Sequence, residues 1–74
     1  MKQPDFNADD EVVVINRESR FYGKRGKVVR IVAIDSQGYE AEQPSEISSW
    51  MVDVCIDGEP YSFFNWPEQL KLAA

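Results

Sequence analysis

The chain has 74 residues and a formal net charge of −5, with no histidine and a single cysteine, Cys55. A chain of this length makes one domain that buries only about 60% of the surface exposed by its unfolded form, so its core must be compact. The missing imidazole removes the usual general base near neutral pH, the commonest metal ligand and any triad built on histidine, and a lone cysteine excludes an internal disulfide.

Residues 1–9 are polar, contain Pro4 and show no periodicity, which predicts a flexible tail whose Phe6 tucks onto the body. They carry neither the apolar stretch of a signal peptide nor the approximately 20 apolar residues of a membrane span, so a cytoplasmic protein without membrane insertion is expected. Val12-Val13-Val14-Ile15 is a β-branched run and predicts a buried strand. Residues 16–25 are polar and basic around Phe21-Tyr22-Gly23 and read as a loop. From Gly26 to Ile34 the chain is again β-branched, long enough for a bent strand that stops at Asp35.

Asp35 to Ser49 holds Gly38, Pro44 and the acids Asp35, Glu40, Glu42 and Glu46 without an apolar period, which predicts a long, disordered, solvating loop. Those acids match no Ca²⁺-loop spacing, and no metal site is expected. Met51 to Ile56 alternates, placing Val52, Val54 and Ile56 on one face and Asp53 on the other, with Cys55 out of phase with the apolar set. Asp57-Gly58 then suits the two positive-φ positions of a type I′ hairpin turn, with Tyr61 to Phe64 as the return strand. Asn65 to Gln69 suits one helical turn with Pro67 at its first position, and Leu70-Lys71-Leu72 a closing strand. The pattern predicts an all-β fold: a small five-stranded SH3-like barrel over residues 10–74, with one short helical turn before the last strand.

Charge is unevenly placed. Arg17, Arg20, Lys24, Arg25, Lys27 and Arg30 lie within residues 17–30, opposed there only by Glu18, so this segment carries +5 and the rest of the chain −10. Such an asymmetry orients a molecule in an encounter.

Gly26 followed by Val28, within Phe21 to Ile31 and preceded by Asp10 to Ile15, resembles the KOW motif of SH3-like barrels in transcription elongation factors and ribosomal proteins. The required glycine of that motif matches Gly26, where a bend or a positive φ is expected. Ile15 to Tyr22 with Gly26-Lys27-Val28 also resembles the peripheral SH3-like subunit of photosystem I. The ending Phe63 to Leu70 is similar in type to that of small soluble subunits of the cytochrome bf complex. The first likeness implies contact with RNA, ribosome or RNA polymerase. The second implies an accessory subunit docked on the soluble face of a membrane-bound electron-transfer complex.

The basic segment can be read as a solvated loop with Phe21 and Tyr22 capping the barrel, as a docking surface for an acidic protein, or as a phosphate-contacting face on which the two rings stack on bases. The −10 elsewhere argues against wrapping a polyanion. Trp50 and Trp66 lie at element boundaries and are expected to be partly exposed, each indole N–H meeting water, as parts of a recognition groove. The candidate contact residues are therefore Arg17, Arg20, Phe21, Tyr22, Lys24, Arg25, Lys27, Trp50 and Trp66. No catalytic residue and no cofactor are expected: paired carboxylates need a shared pocket, which a filled barrel of this size does not offer, and Cys55 has no imidazole to activate it. A protein partner, in the form of a larger complex, is the leading expectation and nucleic acid the competing one.

Overall fold

The computed structural model describes residues 2–73; Met1 of the expected tail and Ala74 of the expected domain lie outside them. The fold is all-β. Strands β1 (Glu11–Val14), β2 (Arg25–Ile34), β3 (Ser49–Ile56), β4 (Ser62–Asn65) and β5 (Leu70–Leu72) form one antiparallel sheet in the order β4-β3-β2-β1-β5. Two single 3₁₀ turns, Pro44–Glu46 and Pro67–Gln69, complete it, the second directly before β5 as expected.

The β2–β3 ladder is the longest, from Gly26↔Ile56 to Ile34↔Ser49, and its register shifts between Val28 and Arg30. Val29 and Arg30 thus share the stretch of β3 at Asp53, a β-bulge that bends the long strand. On either side of it, Gly26 and Val28 and then Ile31 face the core, while Lys27 and Arg30 face out. Val12, Val14, Val28, Val52, Val54, Ile56 and Leu70 form the buried cluster, with Phe6, Phe21, Ile31 and Phe63 packed against it. Phe6 therefore does tuck onto the body. Leu70 and Phe63 come from opposite edges of the sheet and meet the same cluster, so the sheet curves around its core.

Curvature does not become closure. β4 and β5 remain unpaired edges, and the expected closed barrel is an open sheet. The edges run for only four and three residues, too short to carry a closing ladder, and side chains fill the gap instead. Phe21 from the β1–β2 loop stacks on Phe63 of β4, ring centroids 4.7 Å apart.

Two turn expectations change. The Glu59 N–H donates to the Ile56 carbonyl at 3.0 Å, and only Gly58 of the pair Asp57-Gly58 has positive φ, at 86°. A positive φ at the second central residue alone is the pattern of a type II turn, not I′, and Pro60-Tyr61 lengthens the connection to β4. The acidic segment 35–48 is built, not featureless. The Asp35 carboxylate accepts the Gln37 and Tyr39 N–H groups at 2.9 and 3.0 Å, as an Asx turn does. Ala41 N–H then reaches the Ala33 carbonyl and Ser48 N–H the Ile34 carbonyl, each at 2.8 Å, so the excursion is tied to the end of β2 at both of its ends.

Gly26 is required for a reason other than a positive φ, which it does not have. A Cβ there would stand 2.6 Å from the Cys55 carbonyl oxygen and 2.8 Å from Val54 Cγ1, closer than van der Waals contact allows. Backbone on one side and a core methyl on the other leave it no escape. Gly26→Ala alone is expected to destabilise by about 1–3 kcal/mol through overpacking, read as a lower urea midpoint at unchanged slope; a midpoint equal to the parent's would contradict the close approach.

Candidate docking surface

The β1–β2 loop carries most of the candidate residues, and its own side chains shape it. Asn16 Oδ1 accepts the Glu18 N–H and Ser19 Oγ the Phe21 N–H, each at 3.1 Å. Backbone bonds from Ser19 to Asn16, Tyr22 to Ser19 and Lys24 to Phe21 chain three turns together. The loop closes where Gly23 N–H donates to the Val14 carbonyl at 2.8 Å, with Gly23 at φ 79°, a conformation that suits a residue without Cβ.

This winding separates the expected contact set into two groups. Phe21 points inward, half-buried against Phe63 and the core, and Arg20 lies over both rings, its guanidinium carbon 4.7 Å from the Phe21 centroid and 5.5 Å from that of Phe63. A cation–π contact at an exposed site contributes about 0.5–1 kcal/mol, less than burial of a phenyl ring, which is worth about 1.5–3 kcal/mol when complete. Phe21 and Arg20 are thus lid elements of the core. Arg17, Tyr22, Lys24, Arg25 and Lys27 are exposed, as is Arg20 where it lies over the two rings. The salt bridge found among the described residues is Arg30–Asp53, so these cations have no acid within bonding distance in a chain with 13 acids and 8 bases. Lys27 lies directly across from Glu11 on β1 without forming an ion pair.

The two tryptophans meet at a second place. Trp50 and Trp66 line, with Pro4 and Pro67, a concavity of about 510 Å³. Trp66 is 43% exposed, and its backbone N–H is held by Gln69 Oε1 at 2.8 Å at the start of the 3₁₀ turn. Trp50 is half-buried opposite Ala33, and its Nε1 is buried with no hydrogen-bond partner. The expectation that this indole N–H meets water is thereby corrected: Trp50 stands on the core-facing side of β3, where its pairing partner is the small Ala33, and the ring sits down into that space.

Arg30, Phe64 and Met51 were not among the expected contact residues. The bulge turns Arg30 to the outer face, where it pairs with the buried Asp53 at 3.5 Å and lies 5.6 Å from the exposed Phe64 ring. Phe64, Met51, Ile34 and Trp66 line a further apolar concavity of about 320 Å³. The sequence signal was the alternation Arg30, Val32, Ile34 in phase with Asp53 and Met51, visible only once the bulge at Val29 is known.

Comparison with models of known protein families, with curated proteins and with solved structures gave no match.

If Phe21 is a lid and Tyr22 a surface ring, alanine separates them. Phe21→Ala should cost roughly 2–3 kcal/mol of unfolding free energy and Tyr22→Ala within about 0.5 kcal/mol of none, measured by chemical denaturation; equal costs would contradict the division. In acrylamide quenching, Trp50→Phe, which leaves Trp66 as the emitter, should show the steeper slope, and Trp66→Phe the shallower one.

Proposed function

We propose that this protein is a non-enzymatic binding module, a small accessory subunit that docks onto a larger protein assembly. The observation that carries the reading is the set of exposed cations on the β1–β2 loop and early β2, Arg17, Lys24, Arg25 and Lys27, which lack acidic partners although the chain is acidic overall. Cations left unpaired on a hydrogen-bonded loop suit an acidic protein face, and charge complementarity of this kind sets orientation and association rate. The Trp50–Trp66 concavity supplies an apolar complement to those charges. The likeness of residues 15–28 to a photosystem subunit makes a membrane-bound electron-transfer complex, contacted from its soluble face in the cytoplasm, the concrete candidate assembly.

A second reading rests on Tyr22, 52% exposed between Arg17 and Lys24 in sequence. A ring among free cations is also the chemistry of a nucleic-acid surface, and the KOW likeness points to RNA, ribosome or polymerase.

Arg20 is a poor site for charge reversal because it covers the core, so the test uses Arg17→Glu with Lys24→Glu. The double variant should keep the parent's circular dichroism and melting temperature while its capture of the partner assembly falls about tenfold or more. Undiminished capture would refute docking through this loop.

A further inference from the structure

We infer that β4 is a self-association edge, at which a second copy of this chain adds its own β4 antiparallel to the first. The two edges of the sheet differ in their defences. β5 is three residues long and carries Lys71, one of the usual ways in which an edge strand is kept from pairing. β4 reads Ser62-Phe63-Phe64-Asn65, with no charge, no proline and no bulge, and its free side faces no other strand. Such an edge offers its unpaired backbone groups to an incoming strand.

The surface next to this edge favours a second copy over a charged partner. Arg30, Asp53 and Phe64 are directly opposite one another across β2, β3 and β4, so they share the outer face, and Met51 lies two residues along the same face of β3. Arg30 and Asp53 pair and cancel, so the row that ends at Phe64 on the β4 edge carries no net charge in a molecule of net charge −5, and the free cation of this face, Lys27, stands two strands away on β2. What remains is apolar: Phe64 is 50% and Trp66 43% exposed, flanking the concavity that Ile34 and Met51 floor. A two-fold axis perpendicular to the sheet and midway between the two copies of Phe64 would pair this residue with its own counterpart, keep like faces together and join the two apolar concavities into one. A cross-strand aromatic pair at that position adds to the backbone bonds. The operator closes on itself, so it yields a dimer and not a fibre.

The available area sets the strength. Phe64 and Trp66 together expose roughly 200 Å² per copy, from about 150–250 Å² for each whole ring and their fractional exposures. A stable interface uses about 800 Å² per partner, so the dimer is weak and concentration-dependent.

Sedimentation equilibrium of the full chain from about 10 μM to about 1 mM reads this directly. The mean mass should rise from 8.5 kDa toward twice that value and should persist when salt is raised, because the contact is neutral. Phe64→Lys should hold the mass at the monomer value, and Ser62→Lys, which gives β4 the defence that β5 has in Lys71, should do the same with circular dichroism unchanged in both. A parent that stays monomeric to the highest concentration, a dimer dissolved by salt, or a dimer that survives both lysines would overturn the inference.

Discussion

The architecture depends on the β2–β3 ladder and the single irregularity in it. The other strands build outward from these two: β4 on β3, β1 on β2, and β5 on β1. Because strand side chains alternate with period 2, the phase of β2 decides what the whole sheet buries. The bulge at Val28/Arg30 adds one residue and shifts the alternation of β2 by one while that of β3 runs on, so Val28 and Ile31 both reach the core and Arg30 lands on the outer face over Asp53. Gly26 permits the ladder to begin, since any side chain there would collide with the Cys55 carbonyl.

From that register the surface divides. At the inner face, the curved sheet leaves a gap between β4 and β5 that Phe21 and Phe63 fill, with Arg20 laid over the pair. Hydrogen bonds accepted by the Asn16 and Ser19 side chains hold the loop so that Phe21 goes in while Tyr22 and the neighbouring cations go out. One short loop thus contributes to stability and presents charge, and the two duties fall on adjacent residues. At the outer face the only ion pair among the described residues removes its own charge and leaves aromatic surface behind.

Much of the fold was legible in the residues because the signals are local. The β-branched runs, the Val52/Val54/Ile56 alternation, Pro67 at the first position of a turn and the short Leu70–Leu72 strand are all readable from near neighbours, and each appears where it was expected except at Ile15, which lies beyond the end of β1 and is exposed. What was not legible depends on distant partners. Closure of the sheet depends on whether two short edges can pair across the molecule, and Phe21 occupies the gap where they would have to meet. The turn at Asp57-Gly58 has a type I′ sequence, but the longer connection through Pro60 and Tyr61 relaxes the need for a second positive φ. Arg20 and Lys24 look alike as basic loop residues; only the stacking of Arg20 on two rings separates them. Trp50 and Trp66 line one concavity, and the unpaired indole N–H of Trp50 follows from tertiary packing.

The central claim is that unpaired cations on a rigid loop dock this domain onto an acidic protein face. Affinity capture of the intact protein from its native cell extract, with nuclease treatment and with salt elution in parallel, tests it most directly. The account predicts that the captured partner is protein, that it survives nuclease and that it elutes as salt is raised past the range in which surface charges are screened. Loss of the captured material on nuclease treatment would contradict it and place nucleic acid at the loop instead.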